Sequence, residues 1–61
     1  MSQLIRQPNL DHVDDVYQQL LQMHDGLDEA QSLNACARLI LALSNHLGSS
    51  AVVLEAIALA R

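Results

Sequence analysis

Between Ser50 and Arg61 the chain reads AVVLEAIALA, an apolar run that only Glu55 interrupts. A helix built from such a segment is hydrophobic nearly all the way round, and it has to be covered on every side or lie in a membrane. The run falls well short of the ~20 residues that cross a bilayer, so it has to be covered. ARLILALS, from Ala37 to Ser44, makes nearly the same demand. A chain of 61 residues offers little to meet it. Three short helices cannot surround two of their own number, so the surplus apolar surface has to meet another chain. The expected fold is all-α, a three-helix chain completing a helical bundle by dimerisation. An isologous two-fold pair would make six helices, with the second and third of each chain central. A dedicated hetero-partner would satisfy the same physics, and composition does not choose between them.

The size of the chain sharpens this. A domain this small buries only about 60% of its extended surface and usually relies on disulfides, a metal or oligomerisation. Cys36 is the single cysteine, so no internal disulfide forms. It reads as a small buried hydrophobe in a reducing compartment. With no Trp or Phe and one Tyr, the core must be Leu, Ile, Val and Ala. The net charge is −4, with three Arg and no Lys. That balance argues against binding nucleic acid or an anionic membrane through a basic surface. The opening MSQLIRQPNL has no long apolar stretch and does not read as a secretory signal. The expected location is the cytoplasm.

Helix punctuation divides the chain. Residues 1–10 lack periodicity and contain Pro8, which reads as a flexible N-terminal arm whose Leu4 and Ile5 are free to dock on another element. Residues 11–61 read as a single helical domain. A first helix is expected over about 11–25, with Asp11 as N-cap, Asp14 and Asp15 at the positive end of its dipole, and Gly26 as its stop. Val13, Val16, Tyr17, Leu20, Leu21 and His24 form one stripe on it. A second is expected over about 28–47, opened by a capping-box pattern of Asp28 and Gln31 and closed by Gly48. Its apolar set is Ala30, Leu33, Ala37, Ile40, Leu41, Ser44 and Leu47, widened by Leu39, Ala42 and Leu43. A third, over about 50–61, begins with Ser49 or Ser50 as N-cap. The candidate dimer core is Leu33, Ile40, Leu43, Leu47, Val53, Leu54 and Ile57.

The polar residues of the second helix allow three readings. Asn34, Arg38 and Asn45 share one face. That face is the solvent side of the helix, a network between helices, or a site for an anion or a partner loop. In the network reading Arg38 pairs with Glu55 and Asn45 satisfies backbone groups at Ser49 or Ser50, because an orphaned buried polar group costs ~1–3 kcal/mol. Tyr17 and His46 join Arg38, Asn45 and Glu55 as the candidate interface set, Tyr17 as a ring on the core stripe and His46 at the negative end of a helix dipole.

No two histidines have the i, i+4 spacing of a helical metal site, and no cofactor is expected. A Cys–His or Ser–His pair would need Cys36 or Ser44 to face a histidine in a cleft, which a three-helix chain hardly provides. No enzyme activity is expected.

The pattern D-D-V-Y-x-x-L-L from Asp14 to Leu21 is followed by G-L-D at Gly26 to Asp28. N-A-x-x-R-L-I-L-x-L-x-N-H-L-G then spans Asn34 to Gly48, and E-A-I-x-x-A-R spans Glu55 to Arg61. Over residues 9–61 this resembles a small bacterial family of helical proteins of unknown function, about 60 residues long, often encoded beside flavin-dependent aromatic hydroxylases. The resemblance implies such a hydroxylase as a partner and brings no catalytic residue. The expected function is a non-enzymatic helical interaction or accessory protein that associates with itself. The alternative is a carrier or regulator that binds a small apolar molecule in the bundle core.

Overall fold

The computed structural model describes residues 4–61, which form three helices and no strand. These are α1 (Val13–Gln22), α2 (Glu29–Leu47) and α3 (Ser50–Ala60). Of the expected N-terminal arm, residues 1–3 lie outside the described residues, and residues 4–10 carry no helix.

Local chemistry sets each boundary. α1 starts one residue later than Asp11 as N-cap would have it. The N-cap is His12, which makes no side-chain capping bond. Asp11 Oδ1 instead accepts from the backbone N–H of His12 at 3.0 Å, so the carboxylate serves its neighbour and not the first turn. Asp14 and Asp15 do lie in that turn. α1 also ends earlier than expected. His24 N–H donates to Leu21 O at 3.2 Å and Asp25 N–H to Gln22 O at 3.0 Å, tight turns that replace the last helical winding.

α2 begins as its sequence indicates. Gln31 N–H donates to Asp28 Oδ1 at 2.8 Å, and Asp28 N–H donates to Gln31 Oε1 at 3.0 Å, a reciprocal capping box. Gly48 closes the helix at φ 73°, the left-handed conformation that a β-carbon penalises, and its N–H donates to Ser44 O at 3.0 Å. Ser49 then caps α3, its Oγ accepting from Val52 N–H at 3.2 Å. Only Gly48 and Ser49 separate α2 from α3, so the chain turns a sharp corner there.

The helices are well formed, but they do not close a core. No side chain among the described residues is fully buried, and no two of the helices pack along their length. The half-buried positions are Ser32, Ala35, Cys36, Leu39 and Ser44 on α2, Val52, Val53, Glu55 and Ala56 on α3, and Leu4, Met23, His24 and Ser49 outside the helices. The radius of gyration is 13.1 Å over a body of 41 × 24 × 22 Å. A compact chain of this length would have a radius near 10.5 Å, by the usual scaling (about 2.2 Å times length to the power 0.38). The accessible surface is 5563 Å², against roughly 3,900 Å² for a compact monomer of this mass. Single-chain packing therefore leaves much of the apolar surface uncovered.

Candidate interaction surface

α2 organises the exposed surface because its circumference divides into three faces. At 100° per residue, Ser32, Ala35, Cys36 and Leu39 share one face, and all four are half-buried against the rest of the chain. Gln31, Asn34, Arg38 and Asn45 share a second, and all four are exposed. The third is apolar and exposed, with Leu33 at 66% of its full accessibility, Ile40 at 55% and Leu47 at 59%. Leu41 and Leu43 flank it, also more than half exposed. Isolated exposed aliphatic residues are ordinary, but several aligned on one helix face mark a contact surface.

The other helices continue the pattern. On α1, Val16 and Leu20 line a groove with Leu39 of α2, while Val13, Tyr17 and Leu21 are each more than half exposed. On α3, Leu54 and Ile57 are exposed, and Val53 is half-buried. Two open grooves run between the elements. One, of about 710 Å³, is lined by Val16, Gln19, Leu20 and Met23 with Leu39. The other, of about 760 Å³, lies at the α2–α3 corner and is lined by Leu41, Ser44, Asn45, Gly48, Val53 and Leu54 among others.

The residues singled out by sequence are mostly kept apart. Tyr17, expected as a ring on a core stripe, is 64% exposed. Arg38, Asn45 and His46 are exposed, and Arg38 makes no ion pair or side-chain hydrogen bond among the described residues. Asn45 does share the corner groove with Ser49 and Ser50. Glu55 is half-buried, and its Oε2 accepts from Arg6 Nη2 at 3.1 Å. A basic partner thus comes from the segment before α1, and Arg38 and Glu55 form no pair among the described residues. With the two side chains 56% and 21% exposed, such a pair stabilises by roughly 0.2–1 kcal/mol after solvent screening.

Two features were not anticipated from sequence. Arg6 pins the N-terminal segment to α3, where Leu4 is half-buried. Of the two apolar residues free to dock, Leu4 is half-buried and Ile5 is 61% exposed, and no local pattern pointed to the ion pair. His24 Nε2 also lies 3.9 Å from Cys36 Sγ, in a half-buried contact that closes the hairpin between α1 and α2. The clue available in the sequence was that Gly26 turns the chain back, which brings the end of the first stripe onto the first turns of α2. No three His, Cys, Asp or Glu side chains gather into a cluster among the described residues. None of the helices in the described residues is long and apolar enough to cross a membrane.

Residues 4–61 match the model of a protein family described as "Protein of unknown function (DUF2783)". No curated protein and no solved structure matches the chain.

Proposed function

We propose that this chain, which belongs to that family of unknown function, is a non-enzymatic helical interaction module that associates with itself and acts as an accessory to another protein. The supporting observation is its uncovered surface. The chain exposes 5563 Å², roughly 1,700 Å² more than a compact monomer of its mass. Two copies would together cover about 3,300 Å², inside the range of about 2,000–5,000 Å² that obligate dimers bury. At ~25 cal/mol per Å² of apolar area, that surface is ample to drive association after its entropic cost. The grooves have the volume of small-molecule pockets, but they are open. A small apolar ligand is normally enclosed over about 70–90% of its surface, so side chains of a partner suit these grooves better than a carried molecule does.

The accessory half of the reading draws on the resemblance to proteins encoded beside flavin-dependent aromatic hydroxylases. The half-buried Cys36 thiol suits the reducing cytoplasm. Sedimentation equilibrium at micromolar concentration tests self-association: the expected mass is twice 6.7 kDa, and a clean monomer up to the solubility limit would reject it. Retention of a purified flavin-dependent aromatic hydroxylase on the tagged chain would support the accessory role, and its free passage would reject that partner.

A further inference from the structure

We infer that α2 is the seam of the dimer, pairing antiparallel with α2 of a second copy through Ala30, Leu33, Ala37, Ile40, Ser44 and Leu47. This deepens the self-association proposed above and rests on it. The six residues fall at steps of three, four, three, four and three along α2. That is the seven-residue repeat of a two-helix seam. Over about 25 Å of helix at 1.5 Å per residue the stripe carries no charge. Its large members are each more than half exposed, Leu33 at 66%, Ile40 at 55% and Leu47 at 59%.

Residue size fixes the direction of pairing. The first site of each repeat is small (Ala30, Ala37, Ser44), and the second is large (Leu33, Ile40, Leu47). When two copies of the helix run antiparallel, reversal of one brings its second sites opposite the first sites of the other. Ala37 then meets Ile40 of the second copy, Leu33 meets Ser44, and Ala30 meets Leu47. Every layer joins one small and one large side chain, so volume is conserved along the seam. Parallel pairing would stack small on small and large on large, leaving voids in alternate layers and overpacking the rest. The two-fold axis passes midway between Ala37 and Ile40. Gln31, Arg38 and Asn45 lie well round the helix from the seam, so no charge is buried across the axis. The second copy also supplies a reason for the apolar flank, since Leu41 and Leu43, 68% and 56% exposed, widen the seam on either side.

The test is a set of distances between nitroxide labels in the dimer, placed singly at Gln31→Cys, Arg38→Cys and Asn45→Cys in a Cys36→Ala background and read by pulsed dipolar EPR. At 1.5 Å per residue the antiparallel pair separates the two labels along the axis by about 22 Å at position 31, about 2 Å at 38 and about 20 Å at 45. The expected result is therefore a short distance at 38 and longer ones on both sides. Three equal distances in a chain of dimeric mass would overturn the antiparallel pairing while leaving self-association intact. A monomeric mass for the parent chain would overturn both. Variants in the native Cys36 background give a second readout. Ala37→Leu is expected to raise the dimer Kd at least tenfold, and Ala37→Leu/Ile40→Ala to return it to within about threefold of the parent by restoring one small and one large side chain per layer. A tighter dimer with Ala37→Leu alone would signal parallel stacking and overturn the inference.

Discussion

Leu39 and Ile40 are neighbours in sequence with opposite surroundings, and truncating each in turn compares the packing within one chain with the proposed interface. Leu39 is half-buried beside α1, where it lines the groove with Val16 and Leu20. Ile40 faces outward, with 55% of its surface still open to water. Full burial of an Ile side chain is worth about 1.5–3 kcal/mol, so the exposed half of Ile40 leaves about 1–1.5 kcal/mol per copy to be gained on association. Ile40→Ala removes most of that from both copies of a dimer, about 2–3 kcal/mol in all, or roughly a 30- to 150-fold rise in Kd. Helix propensity works in the other direction, because Ala is the better helix former by up to about 0.7 kcal/mol, so loss of helix cannot imitate the effect. Sedimentation equilibrium over a concentration series, with circular dichroism on the same samples, reads both quantities. Ile40→Ala should keep its helix content at saturating concentration and dissociate at lower dilution. Leu39→Ala should lower the unfolding midpoint at every concentration, and with folding coupled to association Ile40→Ala should lower it as well. An Ile40→Ala Kd within twofold of the parent would refute the assignment of this face to the interface.

Asp28→Ala removes the acceptor of Gln31 N–H and opens the reciprocal box at the head of α2. It should cost about 1 kcal/mol, read as a drop in thermal midpoint of roughly 4–8 °C for a domain of this size. Arg6→Gln breaks the 3.1 Å pair with Glu55. It should cost no more than about 1 kcal/mol at low ionic strength and almost nothing in 1 M salt, as denaturant curves at the two salt concentrations would reveal. Arg38→Ala, on the exposed polar face, should change stability by less than about 0.5 kcal/mol. Combined with Glu55→Gln, it should simply add to the single effects, and a measurable coupling energy between the two would show that they meet in the assembled protein.

What the sequence made legible follows the range of the interactions involved. The Asp28–Gln31 box, the Gly48 stop and the Ser49 cap each depend on residues within four positions; the first two stand where the pattern put them, and the cap is the first of the two serines it offered. α1 shows the limit of that logic. Asp11 has the chemistry of a cap, but its carboxylate takes the nearest N–H, that of His12, and the helix begins without it. Periodicity also identified the shared face of Asn34, Arg38 and Asn45 and the apolar set of α2. It reports which residues lie together, not what covers them, so the stripe on α1 read as core while Tyr17 is in fact 64% exposed. The contacts joining Arg6 to Glu55 and His24 to Cys36 depend on how the chain folds back across 49 and 12 residues. No local pattern encodes a pairing of that range, which left the partner of Glu55 open to misassignment.

The central claim is that three well-formed helices become a stable fold by covering one another's apolar faces across two copies. The most direct measurement is the thermal unfolding midpoint as a function of protein concentration. If folding is coupled to dimerisation, mass action raises the midpoint by about 5 °C for each tenfold increase in concentration, taking the average unfolding entropy over two chains. A midpoint that stays constant across three decades of concentration, with a mass of 6.7 kDa throughout, would contradict the claim.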